Sequence, residues 1–291
     1  MNLPASPSPE KRKLVHDVVS DLAGIDGVIA VVLGGSHAEG GATEASYVDL
    51  GIYYSEKSPF DIAAIQKVAD KFAVQPTKVT GLYGWGPWAN GGAWIATAQG
   101  PVDFVYRNLE QVDRTIEDAA HGRWSNDFDQ QPPYGFSSVF YLAETRSCVA
   151  LHDPSGHIAR LKSLVATYPA QLKATIVGQT LWAAEFTIWQ AEQFCQKGDV
   201  YNAVGCFTRA AKSLVMALYA LNETFPMGDK RSMSALASMT IKPHDVAVRI
   251  ESFLSTDRSK LASSLDTLRE LHQETVALAG PLYRSMFTLK S

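Results

Sequence analysis

Two places in the sequence combine residue types that could act on phosphate. The first is Gly34-Gly35-Ser36, which follows a short apolar run. A turn of that composition leaves backbone N–H groups free at a helix N-terminus, and its glycines let phosphate oxygens approach closely. The second is Asp49, in Tyr47-Val48-Asp49-Leu50-Gly51, a hard oxygen donor of the type that suits magnesium. An isolated Gly-Gly-Ser is equally the sequence of an ordinary strand-to-helix turn, so its surroundings decide between the two readings.

The spacing of apolar side chains gives the elements that must position these residues. Val28–Leu33 is β-branched and continuous, the pattern of a strand covered on both faces, and it runs straight into Gly34. Tyr47–Tyr54 reads as the next strand, with Val48, Leu50 and Ile52 on one face and Tyr47, Asp49 and Gly51 on the other. Leu14, Val18, Val19 and Leu22 predict a helix over Pro9–Ala23, stopped by Gly24 and Gly27, and Asp61–Val74 predicts a second, amphipathic one. Strands are expected at Lys78–Tyr83, Ala93–Ala98 and Pro101–Tyr106, with a turn at Asn90-Gly91. A helix over Leu109–Ala120 then leads into a polar loop, Ser125–Gly135. Beyond Tyr134 helical patterns take over, at Gln171–Gln196, Tyr201–Asn222, Val246–Leu254 and Lys260–Leu278, as in an antiparallel bundle.

With these elements in place, Gly34-Gly35-Ser36-His37-Ala38-Glu39-Gly40 followed by Ser46-Tyr47-Val48-Asp49-Leu50 resembles the nucleotidyltransferase superfamily. That superfamily includes the aminoglycoside and lincosamide nucleotidyltransferases and DNA polymerase beta, and its pattern is Gly-Ser, a spacer, then Ser-Asp-x-Asp on the next strand. The resemblance covers roughly the first half, with a looser echo at Ala220-Leu221-Asn222 and Asp229-Lys230. It implies an α+β architecture: a nucleotidyltransferase fold with a mixed sheet and flanking helices in residues 1–152, then a helical bundle in residues 153–291. It also implies a third carboxylate on a later strand, for which Asp103 in Val102-Asp103-Phe104-Val105 is suited. On this reading Gly34, Gly35, Ser36 and Lys230 hold phosphate, Asp49 and Asp103 hold Mg2+, and Asp103 assists deprotonation of the acceptor. The substrate is a nucleoside triphosphate, ATP foremost, and the acceptor a hydroxyl on a small molecule or protein.

One position departs from the pattern. Aligned on Ser46, Tyr47 stands where the first Asp belongs. A neutral phenol with a pKa of about 10 is a poor magnesium ligand and removes one negative charge. Sliding the alignment so that Asp49 comes first puts Gly51 second and leaves the pair incomplete. A substituted form of an active enzyme, a pseudoenzyme that binds nucleotide, and a site compensated by Glu39 or Glu44 all fit. The expectation is therefore a transferase impaired by Tyr47. Its alternative is an inactive nucleotide-binding or antitoxin-like regulatory module, whose helical half would dock a protein partner through an exposed apolar face.

Other residues carry two readings each. The stretch Tyr83-Gly84-Trp85-Gly86-Pro87-Trp88-Ala89-Asn90-Gly91-Gly92-Ala93-Trp94 could wall an acceptor pocket by stacking, or pack as a hairpin on the domain edge. His37 is read as a solvated turn histidine with a possible phosphate contact, His152 and His157 as capping or surface groups. The formal net charge of -4 argues against a surface built for long nucleic acid. Three cysteines without ligand-type spacing argue against a disulfide framework or structural zinc, which fits a reducing cytoplasm. No signal-peptide pattern is expected at the N-terminus, and no run approaching a membrane span.

Overall fold

The computed structural model describes residues 8–43 and 46–287. In chain order the elements are α1 (Pro9–Ala23), β1 (Val28–Leu33), α2 (Gly35–Ala38), β2 (Val48–Tyr54), α3 (Ile62–Phe72), β3 (Gly92–Thr97), β4 (Gly100–Asn108) and α4 (Leu109–Ala120). They continue with β5 (Asn126–Asp127), β6 (Phe136–Ser137), α5 (Val139–Ser147), β7 (Val149–His152), α6 (His157–Leu164), α7 (Ala170–Gln196) and α8 (Val200–Leu221), and then α9 (Ser232–Ser238), α10 (Val246–Leu254) and α11 (Leu261–Ala279). The architecture is α+β, a mixed sheet with flanking helices followed by a helical C-terminal region.

The chain divides into two compact units. One comprises Met1–Glu117 with Tyr141–Thr167, the other Asp118–Phe140 with Tyr168–Ser291. The division drawn after residue 152 therefore falls inside the first unit, because β7 pairs with β1 and α6 follows it there. Sequence periodicity missed this strand: Val149–His152 is too short to alternate visibly, and its place is set by a partner more than a hundred residues earlier.

In the first unit the sheet order is β3-β4-β2-β1-β7. Only β2 and β4 run parallel; β1–β2, β1–β7 and β3–β4 are antiparallel. The alternation of β2 sends Val48, Leu50 and Ile52 into a core with Leu14, Val18 and Leu22 of α1 and Ile65 of α3, all buried. Helix α1 starts where the Ser8 side chain accepts a hydrogen bond from Lys11 N, and Asp61 caps α3 through Ala63 N. On the opposite face Arg107 of β4, buried to 8% exposure, forms a bidentate pair with Glu144 of α5, both bonds 2.9 Å long. Cys148 is also buried there, which pushes its thiol up to about 11.

The expected strand at Lys78–Tyr83 does not form. The segment runs along the free edge of β3 through isolated bonds: Val74 N to Ala96 O, Thr77 Oγ1 to Trp94 O and Thr80 N to Gly92 O. Pro76 has no N–H to give, and Val79 N is diverted to the Gln66 side chain, so no ladder propagates. The edge is nonetheless covered.

In the second unit α7, α8 and α11 pack together along the apolar stripes that the sequence shows, and Ile176, Leu181, Ile188, Phe207, Leu214 and Leu268 are all buried. Glu185, wholly buried, accepts hydrogen bonds from Tyr283 Oη, Met286 N and Phe287 N, and so fixes the segment after α11. One helix, α8, has the length and composition of a membrane span, contrary to expectation; more than half of its apolar window is buried inside the protein. The expected loop Ser125–Gly135 is closed at its ends by the β5–β6 pair.

Candidate active site

Strand register determines what the first unit presents. Along the parallel pair β2–β4, Asp49 lies directly opposite Asp103, and across the antiparallel pair Asp103 lies opposite Trp94 of β3. Residues opposite one another in a sheet project to the same face. Asp49, Asp103 and Trp94 therefore form a row across three strands, on the face away from Val48 and Leu50. Tyr47, expected to open this strand, lies just before β2, two residues ahead of Asp49, and is 54% exposed.

The turn after β1 closes against the row. Gly34 N donates to Asp49 O at 2.8 Å, which ties the turn to β2. Gly35 has φ +58, and a Cβ built on it would lie 2.0 Å from Asp49 Oδ2. Glycine is needed there twice over, for the left-handed backbone and for the contact itself. Gly34 differs: its backbone is extended at φ -115 and its Cβ would meet Asp49 Cβ at 3.8 Å. Gly35→Ala is therefore expected to lose about 1–2 kcal/mol from backbone strain alone and to displace the Asp49 carboxylate, whereas Gly34→Ala stays near wild type. Thermal melts of the two variants check this.

The loop between α2 and β2 is pinned at Ser46. Its carbonyl accepts from Lys11 Nζ at 3.2 Å and faces His37 Nε2 at 3.4 Å, and its Oγ accepts from Thr43 N at 2.9 Å. His37 is 2% exposed, so it braces the loop rather than meeting solvent. The expected solvated histidine is thus buried in the one-turn helix α2, its Nε2 toward the Ser46 carbonyl. Lys11, buried at 6%, was not singled out from sequence, yet it continues the Leu14, Val18, Leu22 stripe of α1 at helical spacing and is the charged member of that face.

Lys230 is exposed in the second unit, in the turn before α9, and Asn222 ties the end of α8 to Ile241 through both its side-chain atoms. Glu39 is exposed at the end of α2, and Glu44 lies outside the described residues. His152 ends β7 and His157 begins α6, whose N-terminal N–H groups are satisfied by Asp153 instead. Trp94, 68% exposed, stacks on Trp85 with ring centroids 4.6 Å apart, so the aromatic stretch sits both on the sheet edge and beside Asp103. Among the described residues no group of three or more His, Cys, Asp or Glu converges as a metal cluster.

Residues 12–83, which hold the Gly-Gly-Ser turn and Asp49, match the sequence model of the nucleotidyltransferase domain. The chain carries a nucleotidyltransferase domain. Residues 138–230 match a domain of unknown function, DUF4037. Among curated proteins none matches the chain in sequence. A solved nucleotidyltransferase-like protein from Exiguobacterium sibiricum 255-15 aligns over 94% of this chain and 76% of its own, at 10% identity and a TM-score of 0.45. The match to the nucleotidyltransferase domain ends at residue 83, before β4, so Asp103, which pairs with Asp49 by strand register, lies outside it.

Proposed function

We propose that the protein transfers a nucleoside monophosphate from a nucleoside triphosphate to a hydroxyl of a small molecule or protein, at a reduced rate because Tyr47 replaces a carboxylate. The observation that carries this reading is the Asp49–Asp103 pairing across β2 and β4, with Gly35 closed against Asp49. Two carboxylates on neighbouring strands are a donor set that fits magnesium, which is commonly held by one or two protein carboxylates together with substrate phosphates. Asp49 and Asp103 would hold Mg2+, which when bound supplies charge neutralisation on the triphosphate and its leaving pyrophosphate. Gly35 and Ser36 line the approach for phosphate oxygens, and ATP is the nucleotide proposed. Asp103 is the residue assigned to accept the proton of the acceptor hydroxyl, and exposed Trp94 beside it offers a ring face for a base or sugar.

Pyrophosphate release, followed with magnesium across nucleotides and hydroxyl-bearing acceptors, tests the assignment. Release that depends on an acceptor and disappears in Asp103→Asn is expected; release that survives this change counts against it.

A second reading is favoured by Tyr47 itself and by an exposed aromatic strip on α7, where Trp182 stacks on Phe186 and Trp189 follows at a tilt. In it the protein binds nucleotide without transfer and docks a protein partner through the helical region. Nucleotide binding with no pyrophosphate release under any acceptor would favour this reading.

A further inference from the structure

The second unit contains a cleft of about 1150 Å³ between the 124–134 segment, α7 and one side of α8. Trp124, Phe128, Tyr134 and Phe194 give it aromatic walls, and its charged residues are Arg209 and Lys212, with no Asp or Glu along it. The two cations stand three apart on α8 and so share a helix face. Lys212 Nζ donates to Asn126 Oδ1 at 2.5 Å and to the Tyr134 carbonyl, and lies 4.9 Å from the ring centre of Phe128. Both acceptors are neutral. Among the described residues no carboxylate lies within ion-pair distance of either cation. Asp229 and Glu251 line a smaller cavity of about 290 Å³, which shares Tyr134, Lys212 and Met216 with the cleft.

The half-buried Lys212 ammonium makes its hydrogen bonds to neutral oxygens, and Asp229, in the smaller cavity, is the carboxylate whose charge reaches it. Burial pulls Lys212 down to about 8, with Asp229 opposing the shift. An anion brought to it would restore that charge in surroundings of reduced dielectric, where charge-assisted hydrogen bonds are strongest. The cleft exceeds the roughly 300–1,000 Å³ of ordinary small-molecule sites, so it admits a body of several rings. Arg209 and Lys212 repel a polycationic ligand.

We infer that this cleft binds a small amphipathic organic anion, its ring system against Trp124, Phe128 and Phe194 and its anionic group at Arg209 and Lys212. The inference concerns the second unit alone and is read without nucleotide or turnover, so it stands or falls apart from the transferase reading.

Gly205 supplies a clean way to close the cleft. It lines the cleft on α8, and a Cβ added there meets nothing within 4 Å. The test is a fluorescence titration of the full chain with anilinonaphthalene sulfonate and with phenylnaphthylamine, which keeps the rings and lacks the sulfonate. The wild type is expected to bind both saturably. Lys212→Met should weaken the anionic probe by about tenfold or more and leave the neutral one nearly unchanged, as loss of a charge-assisted contact predicts. Gly205→Trp should abolish binding of both. Should Lys212→Met fail to fold, Arg209→Met at an exposed position carries the same comparison. The inference is overturned if the wild type does not bind the anionic probe saturably, if both probes respond alike to loss of the cations, or if Gly205→Trp leaves binding intact.

Discussion

Tyr47→Asp is expected to raise magnesium-dependent pyrophosphate release by about 10²-fold, the scale set by one well-placed electrostatic group at a reacting centre. The substitution restores a carboxylate two residues before Asp49, at the entry to the strand on which Asp49 pairs with Asp103. Tyr47 is 54% exposed, so little packing is lost and stability should move by no more than about 0.5 kcal/mol. A third acid close to two others raises their mutual repulsion, and this should appear as tighter magnesium dependence: half-maximal rate at lower magnesium than in the wild type. A variant with unchanged rate and unchanged magnesium dependence would show that Tyr47 is not a lost ligand.

Glu144→Ala should give the largest stability change, a loss of about 3 kcal/mol. Arg107 is held at 8% exposure and cannot shed its charge, so removing Glu144 leaves a guanidinium with the carbonyls of Ala89 and Tyr106 and the ring of Tyr141 but no carboxylate partner. Arg107→Met should cost less, about 1 kcal/mol, because the Glu144 side chain it abandons is 35% exposed and can be hydrated. Urea unfolding of the two variants gives the ranking, and a reversed order would contradict this account of how α5 is held to the sheet.

The parts of the fold that were legible in the sequence are those written in local periodicity. The stripes of α1, α3, α7, α8 and α11 and the alternation of β2 appear where the spacing puts them. What escaped depended on distant partners. Val149–His152 becomes a strand because β1 offers it an edge, and Lys78–Tyr83 fails to become one because its donors are spent on Gln66 and on isolated contacts with β3. The candidate site shows the same division. Asp49 and the Gly-Gly-Ser turn could be picked out from motif, but the pairing of Asp49 with Asp103, the packing of Asp49 against Gly35 that leaves no room for a Cβ, and the buried roles of His37 and Lys11 come from register and tertiary packing. The cation-lined cleft of the second unit was invisible for a related reason: Trp124, Tyr134, Phe194 and Lys212 have no common spacing and meet only when the 124–134 segment lies along α7 and α8.

The central claim is that Asp49 and Asp103 together make a metal-dependent nucleotide site. Calorimetric titration of ATP with magnesium into the wild type and into the Asp49→Asn, Asp103→Asn double variant tests it most directly, since binding is read whether or not Tyr47 blocks turnover. Saturable, magnesium-dependent heat in the wild type and an affinity at least about tenfold weaker in the double variant are predicted, in keeping with the loss of charged ligands. Equal affinity in the two proteins, or binding in the wild type indifferent to magnesium, would contradict the account.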